Sequence, residues 1–238
     1  MSIKNKLAKI ARNTLPKGTL KVIEKDYRKM RAKVVATRYG NPARKLRVIA
    51  ATGTNGKTTT INFLNEILKE AGYKTAMFST ANIEIANDKL VNDTNSTTAT
   101  VSRLQKFFAD ALKADVEFAL VEATSHALDQ YKFAGVEFEM AIMTNLTQDH
   151  LDYHKTMKNY IMIKESIAMN QTEEDSIVLN YMDTELRKFG KKRNLKPKVI
   201  WFSSEEEPKE GFILREGEFI HKTRRRKKNS LKLRIYSF

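Results

Sequence analysis

The stretch Ala51-Thr52-Gly53-Thr54-Asn55-Gly56-Lys57-Thr58 decides how this chain is read. It stands between an apolar run over 46–51 and a helical pattern over 58–71, with Gly72 placed to end the helix. The phosphate-loop pattern asks for Gly, four residues, then Gly-Lys-Ser/Thr, after a strand and before a helix. Only its first Gly departs here, replaced by Ala51. Gly53 and Gly56 let the backbone turn its N–H groups inward, and the helix start adds the positive end of its dipole. Lys57 would meet the outer phosphates and the Thr58 hydroxyl would ligate Mg²⁺. The plain alternative is a glycine-containing turn before a helix, but motif and strand–helix context together favour a nucleotide site.

Outward from the loop, strand-like runs alternate with helical patterns. Residues 75–79, 118–121, 140–144, 177–179 and 199–202 read as strands, and 101–114 and about 159–170 as helices. Residues 83–91 read as a hairpin turning at Asn87-Asp88, and 212–220 as another. Leu104, Phe107, Phe108, Ala111 and Leu112 mark the inner face of the first of these helices. The alternation predicts an α/β fold: a phosphate-loop-containing, mostly parallel sheet with helices on both faces, preceded by basic amphipathic helices.

The chain has 238 residues and 41% apolar composition, enough for a real core. With no Cys, disulfides, thiolate metal sites and a Cys nucleophile are excluded. No apolar run approaches the roughly 20 residues of a membrane span, and the start is too basic for a signal peptide, so a cytoplasmic protein is expected. The net charge of +15 looks like a nucleic-acid signature. However, residues 1–47 carry 15 basic and 2 acidic side chains, and 222–238 carry 8 basic and none acidic. The middle holds 20 basic against 26 acidic. An acidic body thus lies between two basic ends, and no nucleic-acid partner is expected.

Three regions follow: a basic helical extension (1–45), a nucleotide-binding body (46–221), and a basic tail (222–238) expected to be disordered or non-native. In the extension, Ile3, Leu7 and Ile10 form a short stripe, and Leu20, Ile23, Tyr27, Met30 and Val34 a longer one, before Gly40-Asn41-Pro42 breaks the pattern. Two amphipathic helices packed on the body are expected. The alternative is an interfacial helix whose Lys/Arg face meets anionic lipid, giving a membrane-associated protein.

Two further segments fall at carboxyl ends of predicted strands, where open α/β sheets bind ligands. One is Val121-Glu122-Ala-Thr-Ser-His126. The other is Thr144-Asn-Leu-Thr-Gln-Asp149-His150-Leu-Asp152-Tyr-His154. A carboxylate and an imidazole at such an edge suit a divalent ion beside phosphates. Against this, Asp149 and Asp152 could simply cap a helix, with the His residues on the surface. The phosphate loop on the same edge favours the site.

These segments, with Thr97-Thr98 and Tyr160-Ile-Met-Ile-Lys164, resemble in order and spacing the central ATP-binding domain of the Mur ligase family along about residues 46–203. The likeness is nearest to the branch that adds the third residue of the peptidoglycan stem peptide. It implies that ATP phosphorylates a substrate carboxylate and an amine displaces phosphate, forming an amide. It implies ATP contacts at Gly53, Thr54, Asn55, Gly56, Lys57, Thr58, Thr59 and Asn145. Mg²⁺ would bind at Thr58, Glu122 and His150. Lys57, Glu122, His150 and Lys164 would be the catalytic residues, with Lys164 carbamylated. Thr97, Thr98, Thr124, Gln130 and Lys132 would contact a UDP-MurNAc-peptide, whose partner substrate is an amino acid.

The sequence also departs from the family. Thr124 stands for a usual Ser, Lys132 for Arg, Ser96 for a common Asn and Ala99 for a common Pro. Lys132 loses a bidentate fork for carboxylate or phosphate, which implies a changed acceptor site. The family's UDP-binding and closing domains, and the His-Asn pair ending its central domain, find no match. The expectation is a shifted or shortened reading frame, or a subunit needing a separate closing domain. A folylpolyglutamate-type ligase and a non-catalytic nucleotide-binding fragment are the alternatives.

Overall fold

The computed structural model describes residues 16–86, 88–91, 100–215, 218–223 and 228–232. The chain runs α1 (Lys17–Arg38), β1 (Arg47–Thr52), α2 (Lys57–Glu70), β2 (Thr75–Phe78), β3 (Asn82–Ile85), β4 (Asp88–Val91), α3 (Val101–Lys113), β5 (Phe118–Glu122) and α4 (Ser125–Asp129). It continues through β6 (Met140–Met143), α5 (Leu151–His154), α6 (Met157–Glu165), β7 (Ser176–Asn180), α7 (Thr184–Phe189), β8 (Lys198–Ser203), β9 (Gly211–Arg215), β10 (Glu218–Lys222) and β11 (Lys228–Lys232). One sheet results, in the order β11-β10-β9-β8-β7-β6-β1-β5-β2-β3-β4. From β9 to β2 every pairing is parallel, and antiparallel hairpins extend both edges. β1, which leads into the phosphate loop, lies between β5 and β6.

Alternation along the central strands divides the core between two faces. Ile49, Ala51, Met77, Leu120 and Ile142 cluster with Ile61 of α2. Val48, Ala50, Ala119, Val121, Ala141 and Met143 cluster with Leu104, Phe107, Phe108 and Ala111 of α3. Because both faces are covered, β5 reads as a continuous apolar run rather than an alternating one. Burying each of the Phe and Leu side chains contributes about 2–3 kcal/mol.

Some expected boundaries move. The helix expected over 159–170 begins two residues earlier and ends at Glu165, giving way to a tight turn at Ser166–Ala168. The periodic pattern does not announce α7. It begins because the Asp183 carboxylate accepts from the Glu185 and Leu186 N–H groups, capping the first turn.

Two readings need correction. First, α1 does not pack its long apolar stripe on the body. Ile23, Tyr27, Met30 and Val34 are exposed, while Ala32 and Ala36 on the other side are buried. An alanine surface lets the helix approach closely, and a Cβ built on Gly135 would sit 4.0 Å from that of Ala36. The large side chains are therefore turned outward. Second, the tail from residue 222 is not without order, since Lys228–Lys232 pairs antiparallel with Glu218–Lys222. Backbone hydrogen bonds hold this strand without an apolar period in its side chains. The first stripe, Ile3, Leu7 and Ile10, lies outside the described residues. Among those described, no helix is long and apolar enough to cross a membrane.

Candidate active site

The parallel strands β1, β5 and β6 bring their carboxyl ends together, and three chain segments converge there. Gly53 has φ +147° and Gly56 φ +83°, so the loop uses backbone conformations that only glycine enters freely. A Cβ on Gly53 would collide with the Thr144 side chain. Thr144 in turn donates to the Asn55 carbonyl at 2.6 Å. Asn145 forms a two-way amide pair with the Asn55 backbone, accepting from its N–H at 2.9 Å and donating to its carbonyl at 3.2 Å. The Thr54 hydroxyl joins the Thr147 backbone and the buried Tyr160 hydroxyl, each at 3.0 Å. The loop is thus pinned by residues about 90 positions away, in a shape set before any ligand arrives.

Glu122 closes β5, and its carboxylate is buried. One oxygen, Oε2, accepts from the Thr58 hydroxyl at 2.9 Å, the Thr80 hydroxyl at 3.0 Å and the Thr80 N–H at 3.1 Å. A buried carboxylate needs such donors to offset lost hydration. The expected Thr58–Glu122 pair is therefore in contact, and Thr80 joins it. Thr80 follows β2, at the carboxyl edge where the other two segments were sought, so the same rule could have found it.

Lys57 and Lys164 converge on one carbonyl. The Lys57 ammonium donates to Gly53 O at 3.1 Å and Thr54 O at 2.8 Å. Lys164 Nζ donates to Gly53 O at 2.7 Å and to the Thr52 hydroxyl at 3.1 Å. Lys164 is 1% exposed. Burial first, and the Lys57 charge second, push its pKa down to about 7, while Glu122 and Asp149 oppose the shift. A large neutral fraction at physiological pH follows.

His150 sits apart from this pair. Its backbone is left-handed, φ +49°, and its side chain is half-exposed with Nε2 3.4 Å from Asp149. Its ring meets His126 at 5.0 Å between centroids. Among the described residues, no hydrogen bond or ion pair joins Glu122 and His150. His154 is buried with neither ring nitrogen bonded, and its pKa is lowered by burial and then by His126. His126 is lowered by burial and then by His150.

The acceptor candidates separate further. Thr124 caps α4, its hydroxyl accepting from Ala127 N–H at 3.1 Å, and Gln130 closes the same helix. Lys132 lies beyond it, its pKa lowered to about 8 by burial and then by Arg31 of α1. Lys25 and Lys29 of α1 stand over the Tyr131 ring at 5.9 and 5.0 Å. Thr97 and Thr98 lie outside the described residues.

The residues fit a magnesium-bound nucleotide. Thr58 and Glu122 are hard oxygen donors, and Gly53 leaves a cradle that a Cβ would fill. Among the described residues, no three His, Asp or Glu side chains form a cage of their own. That suits an ion completed by phosphate oxygens and water rather than one enclosed by protein.

A family profile for the Mur ligase middle domain matches residues 51–235. The chain is 40% identical over 153 residues to the UDP-N-acetylmuramoyl-L-alanyl-D-glutamate–2,6-diaminopimelate ligase of Clostridium botulinum, covering 64% of this chain and 31% of that protein. It is 37% identical over 186 residues to the enzyme of the same name from Clostridium perfringens, covering 77% and 37%. The chain spans about a third of the length of these curated relatives. A solved ligase of that name superposes with a TM-score of 0.66 at 26% identity, covering 78% of this chain and 39% of the other. Folylpolyglutamate synthase of Mycobacterium tuberculosis shares the fold at a TM-score of 0.62 and 15% identity, covering 81% and 51%. The glycine cradle, the β5 carboxylate and the matched profile agree, and the chain belongs to the Mur ligase family through that family's middle domain.

Proposed function

We propose that this chain is the ATP-binding core of a ligase that joins an amino acid to a UDP-MurNAc-peptide by way of an acyl phosphate. The observation that carries this reading is the convergence of Thr58 and Thr80 on the Glu122 carboxylate and of Lys57 and Lys164 on the Gly53 carbonyl. A simple nucleotide site needs the loop and one lysine. It does not need a second, buried lysine on the same carbonyl.

In this reading the loop N–H groups and Lys57 would cradle the phosphates, Thr58 and Glu122 would hold Mg²⁺, and Glu122 and His150 would hold a second ion. The metal would neutralise charge on the transferring phosphoryl group. A substrate carboxylate oxygen attacks the γ-phosphorus and ADP leaves. The amine then attacks the acyl carbon, and the bridging oxygen departs with phosphate. Thr97, Thr98, Thr124, Gln130 and Lys132 would hold the acceptor peptide.

Lys164 has the chemistry for carbamylation. Its neutral amine attacks CO₂, an N–C bond forms and one proton leaves. An ammonium beside a neutral amine would then become an ammonium beside an anion, which would remove the strain of a second buried cation and give the metal an anionic neighbour. The reaction belongs in the cytoplasm, where ATP is available, and a closing domain would complete the site. α1 adds a partner of another kind, a lipid surface, through residues outside this site.

The alternative is a nucleotide-binding core acting on a different carboxylate. Lys132 favours it, because an ammonium in place of a guanidinium removes bidentate recognition. The deciding experiment supplies ATP, Mg²⁺, UDP-MurNAc-dipeptide and a panel of diamino acids and follows phosphate release. Release that requires the muramyl substrate is the expected result. Release driven instead by a folate or another carboxylate would replace the substrate assignment, and ATP binding without release would leave a core needing its partner domain.

A further inference from the structure

We infer that the outer face of α1 seats on an anionic lipid surface, with the helix lying in the plane of that surface. The inference is independent of what the nucleotide site does. Val22, Ile23, Tyr27, Met30 and Val34 are each 41–61% exposed, although they are five of the seven apolar side chains of the helix larger than alanine. At 3.6 residues per turn, Ile23, Tyr27, Met30 and Val34 fall within an arc of about 60°. Ala32 and Ala36, which are buried, lie on the opposite side.

The borders of the stripe carry the argument for lipid. Arg31 and Arg38 stand along one edge and Lys33 along the other, where Asp26 is the one acidic neighbour, while Lys29 turns toward the Tyr131 ring of the body. Long basic side chains beside an inserted apolar strip can reach up to headgroup phosphates while their stems stay against the chains. α1 has 8 basic and 2 acidic residues, and one of the two, Glu24, pairs with Arg28 at 3.8 Å. Docking against a second copy would set two such cationic helices face to face, so an anionic partner fits better.

The apolar surface also continues beyond the helix. A groove lined by Phe133, Phe138, Ile167 and Met169 opens against Lys29 and Lys33, and Met169 is itself exposed. The helix is too polar to span a bilayer. The outer stripe of α2, Phe63 and Ile67, is as exposed as that of α1 but is bordered by Glu66 and Glu70. It serves as an internal control, because carboxylates there would repel an anionic surface.

The test is co-sedimentation of the full chain with vesicles of phosphatidylglycerol and phosphatidylcholine, or of phosphatidylcholine alone, with circular dichroism melting to confirm that each variant is folded. The chain should bind the anionic vesicles and bind the neutral ones at least about tenfold more weakly, with binding lost at high salt. The double variant Met30→Glu/Val34→Glu should lose at least about tenfold, whereas Phe63→Glu/Ile67→Glu should bind as the parent does. Absence of binding to anionic vesicles overturns the proposal. Undiminished binding by the α1 variant overturns it too, because other basic segments would then be responsible. So does a dimer in light scattering that the α1 variant abolishes, since the face would then meet a second copy.

Discussion

At the loop edge, Thr54, Asn55, Thr144 and Asn145 are cross-tied, and Glu122 holds both Thr58 and Thr80 through one oxygen. At the acceptor flank the functional groups are occupied locally. Thr124 caps its own helix, Gln130 ends it, and Lys132 is half-buried near Arg31 of α1. The nucleotide end is rigid because three parallel strands share its side chains. The acceptor end is shaped by a helix at the chain's edge and by short local turns. Nucleotide chemistry should therefore be sensitive to small changes in the loop, and acceptor specificity should drift more readily.

Breaking the rigid end should have the largest effect. Lys164→Ala should lower muramyl-dependent turnover by at least about a hundredfold, with partial rescue by added short carboxylates. Undiminished turnover would remove Lys164 from the site. Gly53→Ala should destabilise the fold by about 2–3 kcal/mol, from the collision with Thr144 together with the φ of +147°, as read by urea unfolding. If its midpoint equals the parent's, the cradle is looser than the geometry says.

The third effect is on pH dependence. The folded pKa of Lys164 is about 7, well below that of an unfolded lysine at about 10.4, so the unfolded chain binds the extra proton between those values. Stability should then rise with pH across that window, by roughly 2 kcal/mol between pH 7 and pH 9 in CO₂-free buffer. Lys164→Met should lack that rise; identical profiles for the two proteins would contradict the buried-amine assignment. The smallest effect is expected at the acceptor flank. Lys132→Arg should tighten binding of an anionic acceptor by about threefold, with ATP affinity unchanged. A change in ATP affinity would blur the distinction between the two ends.

The loop and Glu122 were legible because each sits directly after an apolar run that closes a strand, and local order is enough to place both. The convergence of Lys57 and Lys164 on Gly53 O was not, since the two lysines are 107 positions apart and meet only through the register of β1 with β6. Thr80 has no motif of its own, and only its place after the carboxyl end of β2 could have marked it. For α1, periodicity revealed a stripe but not which way it faces. Its true packing surface consists of Ala32 and Ala36, which sit among Lys and Arg and carry little apolar signal. Lys228–Lys232 escaped for a similar reason, since β11 is defined by backbone pairing to β10.

The central claim is that the 53–58 loop binds a nucleotide through its backbone and Lys57. Isothermal titration of Mg²⁺-ATP into the parent chain and into Lys57→Ala tests it most directly. The account predicts saturable one-to-one binding by the parent and loss of at least about a hundredfold in affinity in the variant. Equal affinity in the two proteins, or no binding by the folded parent, would contradict it.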